Sequence, residues 1–209
     1  MAHRFEVLKI LGKGSFAQVV EAFDHKNKCT VAIKINRNSE IDHEFAQNEA
    51  NLLDLLMQSD PLDTHNIVRL LEHSTWHNHK LFVFELLSKD LFTHLQNTNY
   101  AGLKATRVKE FTKQIVDALV FLETKDIIHC DLKPENVLIN EQGDKVKLCD
   151  FGSGCFTKDQ VYTYVQSRFY RAPEVVLRIA YSPKVDVWSL GCIVFELFTG
   201  QPLFPGQNE

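Results

Sequence analysis

The spacing of apolar residues changes partway along this chain, and that change constrains the fold more than any other feature of the sequence. Residues 5–35 contain short alternating apolar runs separated by turn-forming residues, which predicts three strands. Helical spacing follows at residues 43–58, and two more strands are predicted at 67–72 and 80–86. From residue 90 onward helical spacing dominates. We therefore expect an α+β chain, with a small β-rich lobe followed by a mainly helical lobe.

The predicted helical lobe contains two contrasting helices. Apolar residues recur at three- and four-residue intervals from Val108 to Leu122, which predicts an amphipathic helix of about four to five turns. A short strand at 127–128 is followed by a polar loop and a predicted hairpin at 137–149. Residues 185–198 are apolar on nearly every face, which predicts a helix buried inside its lobe. We expect a cleft between the two lobes that a nucleotide would fit.

Composition argues against several classes of protein. The 209 residues suffice for one large domain or two packed lobes, and 44% apolar with 24% charged residues is typical of a soluble globular protein. A net charge of −4 gives no electrostatic reason to expect nucleic acid or an anionic membrane as a partner. The apolar runs are too short to span a bilayer, and the first residues lack the apolar core of a secretory signal.

The five cysteines are scattered and include no Cys-x-x-Cys pair. We therefore expect neither a zinc site nor a disulfide framework, and we expect a cytoplasmic or nuclear location, where thiols stay reduced. Cys130 and Cys155 each adjoin a loop that carries an aspartate. Two interpretations of them stay open: they approach closely enough for reversible oxidation, or they are two inert buried thiols.

A glycine-rich segment joins the first two predicted strands. It consists of Gly12, Lys13, Gly14, Ser15, Phe16, Ala17, Gln18 and Val19. Glycines let a backbone approach phosphates closely and present N–H groups to anionic oxygens. A simple Gly-x-Gly hairpin turn explains the segment equally well. A strand follows it, which argues against a P-loop or a dinucleotide-binding fingerprint, because in both of these the glycines lead into a helix.

Lys34 lies in the third predicted strand, in the sequence Val31-Ala32-Ile33-Lys34. Taken alone, it would be interpreted as a surface lysine. Glu49, however, falls within the apolar stripe of the predicted helix, and a carboxylate there is costly to bury unless it is paired. We therefore predict an ion pair between Lys34 and Glu49, with a glutamate that reaches solvent as the alternative.

The strongest local signal is the loop from His129 to Asn136, which contains Asp131 and Lys133 directly after a short apolar strand. Phosphoryl transfer needs a carboxylate to orient the incoming hydroxyl and cations to offset the charge on oxygen. Asp150-Phe151-Gly152 follows at the end of the next strand. Asn136 and Asp150 both offer the oxygen atoms that Mg²⁺ prefers.

Together these motifs resemble those of the eukaryotic protein kinases, and Ala172-Pro173-Glu174 completes the set. The resemblance runs from about Phe5 to the C-terminus. It implies a bilobal protein kinase-like fold over residues 1–209, with an N-terminal lobe at 5–87 and a C-terminal lobe at 88–209. It also implies ATP and Mg²⁺ as cofactors and proteins as substrates.

The resemblance assigns an expected role to each matching residue. Asp131 would be the catalytic base, Lys133 would stabilise the transferring phosphoryl group, and Lys34 would hold the α- and β-phosphates. Asn136 and Asp150 would hold Mg²⁺. In the adenine pocket, Phe84 would guard the back, Glu85–Leu87 would form the hinge and Leu138 would line the floor. The residues implied to contact ATP are Leu11, Gly12, Lys13, Gly14, Ser15, Phe16, Ala17, Gln18, Val19, Ala32, Lys34, Glu49, Phe84, Glu85, Leu87 and Leu138.

Three features are similar to the dual-specificity tyrosine-regulated kinases of the CMGC group, including the Yak-type members. Cys130 stands where most kinases carry arginine, Cys155 ends the run Asp150-Phe151-Gly152-Ser153-Gly154-Cys155, and Tyr162-Thr163-Tyr164 lies in the activation segment. This resemblance implies autophosphorylation of Tyr164, followed by phosphorylation of Ser and Thr on substrates, often with proline after the target.

A phosphate on Tyr164 would carry between one and two negative charges and attract guanidinium groups. Since the catalytic-loop arginine is absent, Arg168 and Arg171 are the predicted partners. The alternative is that Tyr162 and Tyr164 only pack within the loop.

Two departures from the family pattern bear on function. Ala17 replaces the third glycine of the glycine-rich segment, which we expect to stiffen the turn without preventing ATP binding. Relatives continue for some tens of residues after the last helix, so we expect an incomplete C-terminal lobe in which residues 185–198 expose apolar surface. An inactive kinase-like scaffold and a fragment unable to fold alone are the alternatives to an active kinase.

Overall fold

The structure is a computed structural model that describes residues 4–14, 17–38, 40–160 and 162–208, with only the backbone described at 40–42. The chain divides into two compact units. The first runs to Pro61 and resumes at Val68–Leu87, and the second comprises Leu62–Ile67 and the chain from Ser88 onward. Among the described residues, no helix combines the length and the apolar character needed to cross a membrane.

The first unit contains an antiparallel sheet. Its strands are β1 (Phe5–Lys13), β2 (Ala17–Asp24), β3 (Cys29–Asn36), β4 (Leu70–Trp76) and β5 (His79–Glu85), in the spatial order β1-β2-β3-β5-β4. One face forms a core of Val20, Ala22, Val31, Ile33, Leu81 and Val83. Residues paired across neighbouring strands share a face, and side chains alternate between faces along a strand. The pairs Val19–Lys34 and Ala32–Phe84 therefore lie on the face opposite this core.

Helix α1 (Glu40–Ser59) follows the third strand and contains the helix predicted at 43–58. Of the residues whose spacing predicted this helix, Leu52, Leu53 and Leu56 are buried and Phe45 is only partly buried, while Ala46 and Ala50 are buried as well. Glu49 lies in the predicted stripe and is itself buried. The helix therefore carries one carboxylate into the interior of the first unit.

The strand predicted at residues 67–72 is displaced. β4 begins only at Leu70, because Asn66 has a left-handed backbone (φ 55°) and Ile67 forms an isolated parallel bridge with Leu148 instead. Apolar character alone could not separate the residue that bridges Leu148 from the start of the strand. β4 and β5 are joined by a two-residue hairpin turn, in which both His77 and Asn78 have positive φ.

The second unit is mainly helical within the described residues. Its elements are β6 (Lys89–Asp90), α2 (Leu91–Asn97), α3 (Ala105–Thr124), β7 (Ile127–Ile128), β8 (Val137–Ile139), β9 (Val146–Leu148), β10 (Cys155–Phe156), α4 (Pro173–Val176) and α5 (Lys184–Thr199). β6, β8 and β9 form one small sheet, and β10 pairs with β7. The predicted amphipathic helix is α3, in which the residues buried from the predicted stripe are Val108, Phe111, Ile115, Leu119 and Leu122.

Helix α5 corrects the prediction of a helix buried on nearly every face. Val185, Ile193 and Leu197 are buried, but the opposite side is exposed. The exposed apolar side chains of this helix are Val187, Trp188, Phe195 and Phe198. The prediction was wrong because uniform apolar composition does not reveal which side of a helix is covered; the alternative expectation, that residues 185–198 expose apolar surface, describes the structure better.

Candidate functional site

The ion pair predicted in the first unit is present. Lys34 on β3 donates from Nζ to both carboxylate oxygens of Glu49 on α1, at 2.7 and 2.9 Å. Lys34 retains 13% exposure of its side chain and Glu49 retains 1%. Because a buried carboxylate is costly without a cation, this pair fixes the lysine in a single direction on the sheet face opposite the core.

The described residues of the glycine-rich segment are the end of β1, Gly14 and the start of β2, and the Gly14 N–H donates to the Ala17 carbonyl oxygen at 2.9 Å. Neither Gly12 nor Gly14 has positive φ, so the backbone conformation at these positions does not require glycine. A Cβ added at Gly12 would meet nothing within 4 Å among the described atoms. The missing side chain is thus explained neither by strain nor by packing, which fits a backbone that an outside group approaches. Ser15 and Phe16 lie outside the described residues.

The residues predicted around adenine are divided between the two units. Ala32 and Phe84 face each other across β3 and β5, and the Glu85 carboxylate accepts a hydrogen bond from the Arg69 N–H at 2.7 Å. Leu87 ends the first unit. Leu138 lies in the second unit as the partly exposed residue of β8, between two buried neighbours.

Asp186, on the first turn of α5, holds the loop that follows β7. Its two carboxylate oxygens accept hydrogen bonds from the backbone N–H groups of His129 (2.7 Å) and Cys130 (3.1 Å). Complete burial raises the pKa of Asp186, although His129 opposes that shift. Cys130 has a left-handed backbone (φ 64°), a conformation that is uncommon outside glycine and that the two hydrogen bonds help to maintain.

Asp131 is the centre of a hydrogen-bonded group. Its Oδ1 accepts from the Ser167 hydroxyl at 2.6 Å, and its Oδ2 accepts from Lys133 Nζ at 2.7 Å. Asn136 Nδ2 donates to the Asp131 carbonyl oxygen at 2.8 Å. Burial disfavours the charge on Lys133, but its hydrogen bond and attraction to Asp131 raise its pKa overall. The group therefore presents an oriented carboxylate beside a permanent positive charge.

Asp150 also has a left-handed backbone (φ 63°) and precedes Phe151, which is fully buried. The Phe151 ring centroid lies 5.0 Å from that of His129, whose Nε2 lies 3.0 Å from the Cys149 carbonyl oxygen. These contacts fix the turn that carries the Asp150 carboxylate. No group of three or more His, Cys, Asp or Glu with metal-ligand geometry occurs among the described residues. A carboxylate and an amide suit Mg²⁺ that is also bound by phosphate oxygens.

The activation segment places Tyr164 against one of the two predicted arginines. Arg171 Nη1 donates to the Tyr164 hydroxyl at 2.7 Å, and its guanidinium carbon lies 4.1 Å from the ring centroid. Arg168 instead donates to the Gln207 carbonyl oxygen at 2.6 Å. The structure thus places Arg171, one of the two arginines predicted to pair with a phosphate on Tyr164, beside the hydroxyl that would carry that phosphate.

Gln166 anchors the same segment and was not found from the sequence. It has a left-handed backbone (φ 69°), and its Nε2 donates to the Val185 carbonyl oxygen and to Ser189 Oγ. Its own carbonyl oxygen accepts from two nitrogens of Arg171. The Gln166 carbonyl oxygen is therefore already hydrogen-bonded, by Arg171 of the same chain.

Sequence reasoning assigned no role to Ser167, Gln166 or Asp186. Asp186 carried a detectable signal, because an acid inside the apolar run 185–198 needs buried donors. Ser167 and Gln166 carried none, since polar residues in a loop are expected to face solvent.

Comparison with known proteins identifies the family of this arrangement. The protein kinase domain model matches residues 5–209. The chain is 48% identical to the dual specificity tyrosine-phosphorylation-regulated kinase mbk-2 of Caenorhabditis elegans, over the whole chain and 26% of that protein. It is 47% identical to dual specificity tyrosine-phosphorylation-regulated kinase 3 of Homo sapiens, over the whole chain and 36% of that protein. The chain thus spans between about a quarter and just over a third of the length of these relatives, and the predicted resemblance is confirmed.

Proposed function

Taking as our premise that this chain belongs to the protein kinase domain family, we propose that it transfers the γ-phosphate of ATP to Ser and Thr hydroxyls of protein substrates and autophosphorylates Tyr164. The observation that carries the proposal is the Asp131 carboxylate, held by Ser167 and Lys133 at 2.6 and 2.7 Å. Such fixed geometry suits a group that must receive a proton from an incoming hydroxyl.

The assigned roles follow from the charges at each position. Asp131 orients the attacking hydroxyl and takes up its proton. Lys133, which keeps its charge beside Asp131, offsets negative charge on the phosphoryl oxygens. Lys34, directed by Glu49, binds the α- and β-phosphates.

The donor atoms present in the second unit fit Mg²⁺. When bound, Mg²⁺ would neutralise charge on the phosphates of ATP. The Asp150 carboxylate would hold it together with the Asn136 amide oxygen, because the Asn136 amide nitrogen already donates to Asp131. Gly12 and Gly14 would leave room for the phosphates beside the turn between β1 and β2.

A preference for proline after the target is supported by the Gln166 carbonyl. Ser167 donates a hydrogen bond to the proposed catalytic carboxylate of Asp131. The Gln166 carbonyl belongs to the residue directly before Ser167. Arg171 already occupies the Gln166 carbonyl oxygen. A substrate N–H brought to this position would lose water without gaining this acceptor, and proline has no N–H to lose.

The relatives are named dual specificity and tyrosine-phosphorylation-regulated. Contact between Arg171 and the Tyr164 hydroxyl supports the same regulation here, because a phosphate on that oxygen would meet a guanidinium. We also propose a cytoplasmic or nuclear location, which the scattered cysteines support.

The test is phosphotransfer by Asp131→Asn. We expect the rate to fall by about 10²- to 10⁴-fold, the usual contribution of a general base, while the thermal shift caused by Mg-ATP persists. Asp117→Asn on the exposed side of α3 is the matched control and should transfer at the wild-type rate. Full activity of Asp131→Asn would refute the assignment, and absence of transfer in the wild type as well would support the scaffold alternative.

A further inference from the structure

Ser182 directly precedes Pro183 in the segment between α4 and α5. The sequence contains six prolines, and Pro183 is the one that follows a serine or threonine. The preference proposed above for proline after the target therefore singles out one hydroxyl of this chain as a substrate.

The segment that carries Ser182 is exposed. Residues 179–182 belong to neither a helix nor a strand, and Ser182 itself is exposed. Leu177 and Ile179, shortly before it, are 69% and 58% exposed. A kinase has to draw the residues on both sides of a target serine away from the rest of the substrate, and a segment with few buried contacts opens locally at low cost. The surroundings of Ser182 thus suit a target that another protein must reach.

Tyr181 anchors the same segment from the inside. Its side chain is 8% exposed, and its hydroxyl donates to the Tyr162 carbonyl oxygen at 2.8 Å. Gln160 Nε2 donates to the Tyr181 carbonyl oxygen at 2.9 Å. That carbonyl belongs to the peptide group that joins Tyr181 to Ser182. Drawing Ser182 away from the surface would therefore require release of the hydrogen bond from Gln160.

The charges near Ser182 accommodate a phosphate. The Lys184 N–H donates to Ser182 Oγ at 3.3 Å, and Lys184 Nζ lies 2.8 Å from a carboxylate oxygen of Glu123 on α3. Both side chains of this ion pair are exposed, so the pair contributes little to stability and rearranges easily. A phosphate on Ser182 would compete with Glu123 for the Lys184 ammonium and would gain a cation.

The chain on both sides of Ser182 is attached to the loop that leads to Asp131. Tyr181 belongs to the same buried cluster as Cys130, and the Asp186 carboxylate accepts a hydrogen bond from the Cys130 N–H. Ser182 would have to break both attachments to reach the Asp131 of its own molecule. A second copy of the chain is therefore the phosphate donor that we expect.

We propose that Ser182 is a phosphorylation site for a second copy of this chain and that Gln160 limits its presentation. The proposal rests on the function proposed above and names one protein substrate of the same site. In the reaction, Ser182 Oγ bonds to the γ-phosphorus of ATP held by the second copy. The bond from that phosphorus to the oxygen bridging the β-phosphate breaks, and ADP leaves. The hydroxyl proton passes to Asp131 of the second copy.

The first test uses ¹⁵N-labelled Asp131→Asn as an acceptor with little activity of its own. It is incubated with unlabelled wild type and Mg-ATP, and labelled peptides, which come only from the acceptor, are analysed by mass spectrometry. We expect phosphate on Ser182. Thr64, which is also exposed and outside helices and strands but is followed by His65, should stay unmodified. An unmodified Ser182, or equal modification of Thr64, would overturn the proposal, as would phosphate on Ser182 of the wild type alone.

The second test changes the acceptor around Ser182. Pro183→Ala should slow phosphorylation of Ser182 by roughly 5- to 150-fold, because the new N–H would be buried without an acceptor. Pro202→Ala is the matched control, since Pro183 and Pro202 are both partly buried, and it should leave the rate unchanged. An equal rate in Pro183→Ala would show that proline does not select this site.

Gln160→Ala in the acceptor tests the control of presentation. Loss of one hydrogen bond should raise the rate at Ser182 by roughly 2- to 12-fold. A rate no faster than that of the acceptor with Gln160 would overturn the role given to this residue.

An unrelated peptide with a Ser-Pro target, added to the same reaction, separates this proposal from the proposed function. If the wild type phosphorylates the peptide but not Ser182 of the acceptor, the function stands and the Ser182 site is refuted. If it phosphorylates neither, the proposed function fails and the Ser182 site fails with it.

Discussion

The guanidinium of Arg171 stacks on Tyr164 and hydrogen bonds its hydroxyl, with the carbon 4.1 Å from the ring centroid and Nη1 2.7 Å from the oxygen. The same arginine donates to the Val165 and Gln166 carbonyl oxygens. A single side chain thus connects the proposed phosphorylation site to the backbone next to Ser167. Negative charge added at Tyr164 would attract Arg171, which also holds the backbone at Val165 and Gln166.

We predict that Tyr164→Phe lowers phosphotransfer, because the mutant cannot place a phosphate on Arg171. Tyr162→Phe is a matched control, since both tyrosines are 51% exposed and the hydrogen bond from Tyr181 goes to the Tyr162 backbone oxygen, which the substitution keeps. Purified variants should be compared for phosphotyrosine content and for initial rate. The prediction is wrong if Tyr164→Phe equals the wild type in rate and carries no less phosphotyrosine.

The ion pair between Lys34 and Glu49 leads to a prediction about stability. Lys34→Met removes the ammonium from a carboxylate that is 1% exposed, and breaking a buried pair in this way typically costs about 3–5 kcal/mol. We expect a loss toward the lower end, because Lys34 keeps some contact with solvent. Urea unfolding of the variant and the wild type measures the difference.

Lys34→Met/Glu49→Leu is the informative companion. With both charges removed, no buried carboxylate remains, so the double variant should recover part of the lost stability while staying inactive. If the two residues are not coupled, Glu49→Leu should add its own destabilisation to that of Lys34→Met. The double variant would then be less stable than Lys34→Met.

The sequence was sufficient where the burial of a side chain determined its position or its partner. Glu49 in an apolar stripe implied a cation, and the structure supplies Lys34. The amphipathic spacing of α3 predicted its buried residues, because burial alone determines that pattern.

Sequence reasoning failed where backbone geometry or the covering of a surface decides the outcome. Ile67 and Leu70 are both apolar, yet only Leu70 enters β4, because the left-handed Asn66 directs Ile67 toward Leu148. Gln166 acts through a left-handed backbone that its side-chain type does not reveal. The exposed side of α5 could not be predicted from composition that is apolar all round.

Acid stability should depend on Asp24 in the first unit. Its hydrogen bonds with Arg4, at 2.7 and 3.0 Å, hold the pKa of the Asp24 carboxyl well below its ordinary value. A lowered folded-state pKa stabilises the protein above the unfolded pKa of about 4, and this contribution is lost as pH falls through the folded value. The stability difference between wild type and Asp24→Asn should therefore be largest near neutral pH and shrink below about pH 4.

Arg4→Gln provides the control for this assignment. It removes the largest cause of the lowered Asp24 pKa while leaving the carboxylate and its backbone hydrogen bonds, so its urea-unfolding stability should lose a large share of the pH-dependent part that Asp24→Asn loses. If the difference in unfolding free energy between wild type and Asp24→Asn is the same at pH 7 and pH 3, stability does not depend on the protonation of Asp24 and the prediction is wrong.

The hydrogen bond between Arg171 and the Gln166 carbonyl oxygen leads to a prediction about substrates. Two peptides that differ only in Pro or Ala after the target Ser should differ in kcat/KM, because the Ala N–H would be buried without this acceptor. A buried unpaired N–H costs about 1–3 kcal/mol, which corresponds to roughly 5- to 150-fold in favour of proline. A third peptide with N-methylalanine at this position separates the two explanations for such a preference. If the missing N–H is the cause, N-methylalanine should recover much of the proline rate, whereas a rate as low as that of alanine would mean that ring shape is recognised and the occupied carbonyl is irrelevant.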